Sequence, residues 1–349
     1  MPETIIEARG LCKRYRTRVK AEGLAASAKA LFHAQYREVE AVNDLSFTVE
    51  RGETIAFIGP NGAGKSTTIK MLTGILTPTL GSARVLGMDP TRQRQQLAYR
   101  IGTVFGQKSQ LWFHLPPADS FALLGAIYDL DKKTAAHRAA ELAERFDITD
   151  LLSVPVRKLS LGQRIRCEIV ASLLHEPEVI FFDEPTIGLD VVVKHAIREF
   201  IHALNRERQV TVFLTSHDPG DVEQLCRRAM VINHGRLVLD QSVKSLKYDY
   251  FNRKDISVRF FEPTELPVIP GVTLEKDTPL AKRLSVDTRQ SPIGEVMRIV
   301  SALGSVADIT VEEPPMEDVI AAIYARKGEA IGAQIPAGGS NQPDQRADV

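Results

Sequence analysis

Short apolar runs alternate with helical stripes along most of the first 240 residues. Residues 4–9 and 45–58 alternate or run apolar as strands, the second ending in Thr54-Ile55-Ala56-Phe57-Ile58, which reads as buried. From Ser66 to Leu76, apolar residues at Ile69, Leu72 and Leu76 predict a helix. Residues 111–148 read as helical, with one stripe at Phe121, Leu124 and Ile127 and another at Ala139, Leu142 and Phe146. A further helix over 161–174 carries Ile165, Ile169, Val170 and Leu173, with Ser160 as its N-cap. Val179-Ile180-Phe181-Phe182 suits a central parallel strand buried on both faces, and Thr211–Thr215 reads as another strand.

Two stretches depart from this rhythm. Between the first strands lies an insert, Arg16 to Glu40, where Leu24, Ala28, Leu31 and Phe32 fall at helical spacing among the basic residues Lys20, Lys29 and Arg37. It reads either as an amphipathic helix at a membrane surface or protein partner, or as a helix packed on its own domain. Near Asp249 the composition shifts. Beyond it, 255–261, 283–288 and 306–311 predict strands and 293–303 and 316–324 predict helices, a small α+β unit without a constellation of Cys, His or acidic ligands. Residues 328–349 lack periodicity, are rich in Gly, Ala, Gln and Asp, and are expected to be disordered.

Between the strand at Ile58 and the helix from Ser66, the segment Gly59-Pro60-Asn61-Gly62-Ala63-Gly64-Lys65-Ser66 fits G-x-x-x-x-G-K-[ST]. Glycines let backbone N–H groups curl round phosphate oxygens, Lys65 reaches the terminal phosphates, the Ser66 hydroxyl ligates Mg²⁺, and the helix N-terminus faces the nucleotide. Strand, loop and helix stand in the order this mechanism needs. Asp183 closes the apolar strand and can hold Mg²⁺ through water. Glu184, next along, is the candidate base that polarises the attacking water.

Taken together these motifs make residues 3–245 resemble the ATP-binding domain of an ATP-binding cassette (ABC) protein. Leu159-Ser160-Leu161-Gly162-Gln163 matches its signature, Gln107 in Val-Phe-Gly-Gln its glutamine loop, Gly188-Leu189-Asp190 its D-loop, His217 in Thr-Ser-His-Asp its switch histidine, and Tyr15 its adenine-stacking aromatic. Residues 104–112 and 184–190 are similar to those of ABC-2 exporter ATPases with a long insert after the first strand. The resemblance implies an α/β P-loop NTPase fold: a RecA-like core, an antiparallel β subdomain, a helical subdomain at about 111–175, and, over 250–327, an α+β extension like that of drug-export ATPases.

It further implies ATP and Mg²⁺ as cofactors, with ATP held by Tyr15, Gly59, Pro60, Asn61, Gly62, Ala63, Gly64, Lys65, Ser66 and Thr67. Ser66, Gln107 and Asp183 would serve the metal, and Glu184, Gln107 and His217 the hydrolysis. Ser160, Leu161, Gly162 and Gln163 would act on the ATP of a second cassette, near the Asp190 loop, so that two cassettes sandwich two ATP molecules. The implied partners are membrane permeases on separate chains, met by the helical subdomain, for which Trp112, Phe113 and Leu115 are either an exposed landing site or ordinary core. The signature usually reads L-S-G-G-Q; Leu161 at the third position would be strained if the backbone there needed a positive φ.

Composition narrows the partners. Lys plus Arg and Asp plus Glu are both 44, so no basic footprint points to nucleic acid. Cys12, Cys167 and Cys226 are scattered and odd in number, which argues for a reducing compartment. No stretch approaches about 18 uninterrupted apolar residues, and Met1-Pro2-Glu3-Thr4 lacks a basic region followed by an apolar core. The expectation is a cytoplasmic chain, peripheral on the inner face of the plasma membrane, powering an exporter. The alternatives are an ABC ATPase of DNA repair or translation, disfavoured by the single cassette without coiled-coil or zinc insertions, and a regulator that binds ATP without turnover, resting on Leu161 alone.

Overall fold

The computed structural model describes residues 3–18, 36–106, 109–216, 218–250, 253–312 and 323. The chain divides into two compact units, Met1–Asp249 and Tyr250–Val349. In chain order the first unit comprises β1 (Thr4–Arg18), β2 (Tyr36–Glu50), β3 (Thr54–Ile58), α1 (Lys65–Leu72), β4 (Leu80–Val85), α2 (Arg94–Ala98), β5 (Ile101–Phe105), α3 (Pro117–Ile127), α4 (Lys132–Arg145), α5 (Leu161–Leu173), β6 (Val179–Asp183), α6 (Val191–Arg208), β7 (Thr211–Ser216), α7 (Pro219–Leu225), β8 (Arg228–Asn233), β9 (Arg236–Ser242) and α8 (Val243–Tyr250).

Its main sheet has the order β5-β6-β7-β3-β8-β9, parallel except for β9 at the edge. β3 and β7 are buried along their whole length, as the unbroken apolar runs require. A second, antiparallel sheet has the order β2-β1-β4. The sheets share a core in which Phe47 of β2 lies 6.0 Å, centroid to centroid, from both Phe57 of β3 and Phe213 of β7. Helices α3, α4 and α5 pack on one another as a helical subdomain. Among the described residues, no helix is long and apolar enough to cross a membrane.

The insert differs from its helical reading at both ends. β1 continues to Arg18 and β2 starts at Tyr36, so residues 16–18 and 36–40 form one hairpin, with Arg16 opposite Glu38 and Arg14 opposite Glu40. Arg14 donates to Glu40 at 2.9 Å, and the Arg16 guanidinium lies 5.2 Å from the Tyr36 ring. Cross-strand pairing of charges extends the ladder where hydrophobic periodicity gives no strand signal. Residues 19–35, with Leu24, Ala28, Leu31 and Phe32, lie outside the described residues.

The second unit holds β10 (Arg253–Phe260), β11 (Val272–Asp277), β12 (Ala281–Asp287), α9 (Ile293–Ala302) and β13 (Val306–Glu312). Its antiparallel sheet, β11-β12-β10-β13, turns Ile256, Val258, Phe260, Leu284 and Val286 toward Val296 and Val300 of α9. β11 escapes the sequence pattern because it is a largely exposed edge strand with little apolar alternation to detect. The helix expected over 316–324 and the tail 328–349 fall outside the described residues, except for buried Ile323.

Candidate functional site: a phosphate loop facing two carboxylates

β3 delivers the chain to Gly59, and the loop then exposes Pro60, Asn61 and Gly62 while burying Ala63 and Gly64. Gly64 is the N-cap of α1 at φ 107° with no side-chain cap, so nothing from a side chain satisfies the first helical N–H groups. A Cβ at Gly64 would stand 2.4 Å from the Ala41 carbonyl oxygen, so only glycine brings the loop this close to the β-hairpin. Such an uncapped helix start favours an anion. Lys65 is 5% exposed; its Nζ donates to the carbonyls of Gly59 (2.7 Å) and Pro60 (3.3 Å) and stands 3.5 Å from Glu184 Oε1. Thr67, in the first turn of α1, is half-buried.

Asp183 ends β6 and receives hydroxyls from two other elements. Ser66 Oγ of α1 donates to Asp183 Oδ1 at 3.0 Å, and Thr215 Oγ1 of β7 donates to the same oxygen at 2.8 Å. Glu184 follows in the left-handed region at φ 57°, its N–H donating to both the carbonyl and the hydroxyl oxygen of Thr215 at 3.1 Å. A non-glycine residue held there carries backbone strain, which the flanking strands oppose. From β5, the Gly106 N–H donates to the Asp183 carbonyl at 3.0 Å, and a Cβ on Gly106 would meet the Glu184 carbonyl oxygen at 2.5 Å. The strand ends before Gln107 and before His217 thus converge on the carboxylates, although Gln107 and His217 themselves lie outside the described residues.

A second cluster contains the signature. Ser160 caps α5 with a reciprocal pair: its Oγ accepts from Gln163 N–H at 3.2 Å, and its N–H donates to Gln163 Oε1 at 2.9 Å. This capping box is legible as S-x-x-Q and assigns Gln163 a role that the signature pattern alone misses. Leu161 is the first helical residue and is absent from the positive-φ positions, so its leucine carries no left-handed strain. Its Cδ2 covers Gly188, where an added Cβ would lie 3.2 Å away, and Gly162 faces Val193 and Leu189. Asp190 caps α6, accepting from Val193 N–H at 2.9 Å. The structure therefore gathers Lys65, Ser66, Asp183 and Glu184 in one place, and Ser160–Gln163 with residues 188–193 in another. Tyr15, opposite Val39 on the hairpin, is 37% exposed, with Lys13 Nζ 5.5 Å from its ring.

Thr215 and Asp221 are functional candidates the sequence does not single out. Asp221 is fully buried and accepts from Thr186 Oγ1, from Ser216 Oγ at 2.9 Å and from Arg198 Nε at 2.8 Å. It ties the residue before His217 to the turn after Glu184. Its placement four residues after His217, at the start of α7, is the only sequence cue.

The family profile described as ABC transporter matches residues 42–187. The ABC transporter ATP-binding protein NatA of Bacillus subtilis (strain 168) is 34% identical over 229 residues, 66% of this chain and 92% of that protein. The daunorubicin resistance ATP-binding protein DrrA2 of Streptomyces coeruleorubidus is 31% identical, spanning 90% of this chain and 99% of its own. The dimeric post-hydrolysis structure of the ATP-binding cassette MJ0796, bound to ADP and Pi, superposes with a TM-score of 0.58 at 22% identity, covering 68% of this chain and 99% of that one, and shows the same fold. The phosphate loop, the paired carboxylates and these relatives together establish that the chain belongs to the ABC transporter ATP-binding proteins, as an ATP-hydrolysing subunit of the ABC-2 exporter type.

Proposed function

We propose that residues 59–67 cradle the phosphates of ATP, that Ser66 and Asp183, with Gln107, hold Mg²⁺, and that Glu184 polarises the attacking water while His217 contacts the γ-phosphate. The observation that carries this reading is the convergence of Ser66 Oγ on Asp183 Oδ1 at 3.0 Å, beside the Lys65–Glu184 pair at 3.5 Å. A hydroxyl and a carboxylate are hard oxygen donors, the kind Mg²⁺ takes alongside phosphate oxygens. Held by these residues, the ion would supply positive charge to neutralise the phosphate oxygens. Lys65 must leave the Gly59 and Pro60 carbonyls to reach phosphate, and Glu184, beside it, is the carboxylate that would polarise the attacking water. Tyr15 offers its exposed ring to adenine.

In this reading the signature acts in trans, as it does in the family it resembles: Ser160–Gln163 of one cassette meet the ATP of a second, with Asp190, the cap of α6, nearby. Transport then requires permease helices on other chains, which places this subunit at the cytoplasmic face of the membrane. Relatives named for daunorubicin resistance and bacitracin transport support the outward direction. The test is Glu184→Gln, which retains ATP binding and lowers steady-state hydrolysis roughly a hundredfold or more. Unchanged ATPase in that variant overturns the assignment.

A further inference from the structure

Glu168 is a carboxylate where the fold provides no evident reason for one. It lies seven residues along α5 from Leu161, about two helical turns on and hence on the same face, and it is 3% exposed among buried Cys167, Ile169 and Val170. Among the described residues no Lys or Arg forms an ion pair with it. Burial accordingly pushes its carboxyl above the usual carboxylate range, opposed by the hydrogen bonds it accepts. An apolar side chain would fill this position at far lower desolvation cost.

What the carboxylate holds is the segment just after Gln107. Its two oxygens accept the Gln110 N–H at 3.1 and 2.9 Å, and Oε1 also accepts the Ser109 hydroxyl. Ser109 Oγ in turn accepts the Leu111 N–H at 3.1 Å, so three consecutive residues are fastened to one side chain. On the other side, the Gln110 amide donates to the Thr103 carbonyl of β5, the strand that leads into Gln107. Residues 109–111 are thereby pinned between β5 and the helix that the signature opens.

We infer that Glu168 is a positioning residue: it couples the signature helix to residues 109–111, which follow Gln107 in the chain, so that a shift of α5 on engaging nucleotide is passed to the segment next to the glutamine in sequence. This rests on the proposed roles of Gln107 and of the signature. Each cassette would then sense, through Glu168, whether its signature is engaged, and adjust the chemistry at its own phosphate loop. The side chain touches no reacting atom; it acts only through residues 109–111.

The test uses the full chain with MgATP, comparing Ser109→Ala, Glu168→Gln, Gln107→Ala and the doubles for kcat, for affinity toward a fluorescent ATP analogue and for the thermal midpoint. Supporting residues of this kind typically cost about ten- to a hundredfold when removed. Ser109→Ala and Glu168→Gln are expected to lower kcat by that order with analogue affinity retained, and Gln107→Ala/Glu168→Gln to be no slower than Gln107→Ala alone. Ser109→Ala removes only a hydroxyl, so it keeps the test valid if the Glu168 variant folds poorly. Wild-type kcat in Ser109→Ala and folded Glu168→Gln, against a slow Gln107→Ala, overturns the coupling alone; fully additive losses in the doubles do the same. Wild-type kcat in Gln107→Ala overturns the assigned role of Gln107 and the coupling with it.

Discussion

At the scale of single residues, Leu161 illustrates how a departure from a motif is absorbed. Its backbone sits at the first position of α5, where a negative φ suits any residue, so the signature N–H groups keep a helical orientation. What leucine adds is a side chain lying over Gly188, which itself is at φ 72°. Placing alanine at Gly188 brings both left-handed strain and a 3.2 Å contact with Leu161, whereas in a Leu161→Gly background only the strain remains. Urea unfolding of the single and double variants should therefore show a coupling of about 0.5 kcal/mol or more. Strict additivity would mean the two side chains do not meet. The same scale explains what was legible in the sequence. Gly64, Lys65, Ser66, Asp183 and Glu184 are fixed by chemistry at fixed spacing, so the motif announces them. Thr215 and Glu168 act through partners brought close only by the fold, and no local pattern marks them; Asp221 has its spacing from His217 as its one cue.

Among elements, the helical subdomain shows where periodicity misleads. Phe121 and Leu124 are buried, but Ile127 is 56% exposed. A spacing of i, i+3, i+6 drifts about 60° per step, so the third residue leaves the face the first two share. The joint between α3, α5 and the sheet is made instead by His175, just beyond α5. Its ring stacks on Tyr128 at 3.9 Å, and its Nε2–H donates to the Ile101 carbonyl at 2.9 Å, while buried Nδ1 has no partner among the described residues. A proton on Nδ1 would be buried without an acceptor, and burial holds this histidine below its ordinary value. Because the folded value is the lower one, the unfolded chain binds the proton first as pH falls. The stabilisation is whole above the ordinary histidine value and is lost as pH drops toward and through the depressed one. Urea denaturation across this range should show wild-type stability falling by up to about 1.4 kcal/mol per pH unit from this group, a component missing in His175→Gln. Identical pH profiles would contradict it.

Across the whole molecule, the helical subdomain is the part of the cassette that presents apolar side chains ahead of its helices. Trp112 and Phe113 are 40% and 51% exposed, whereas Leu115 is half-buried. The first two fit a docking surface for a permease and the third fits support beneath it, dividing a group that the sequence could read only as one. Trp112→Ala is expected to leave the ATPase of the isolated chain intact and to impair its stimulation by permease in membranes; equal loss of both would assign the tryptophan to the core. The coarse architecture was readable because strand runs and helical stripes alternate with chemistry-bearing loops at their ends. The hairpin of β1 and β2 was not, because its outer pairs are held by Arg–Glu contacts that carry no hydrophobic period.

The strand that carries the phosphate loop lies between β7 and β8, pairing Ile55 with Phe213 on one side and with Arg228 on the other. Both neighbours come from more than 150 residues later in the chain. On the ribosome, β3 and its loop emerge long before either flank exists, and closing so distant a pairing is intrinsically slow. The helices between Pro117 and Leu173 have local contacts and can form while β3 waits. A nascent chain of this protein is thus expected to hold no nucleotide until translation has passed Asn233, and until then the buried strand that carries the phosphate loop lacks both of its sheet neighbours.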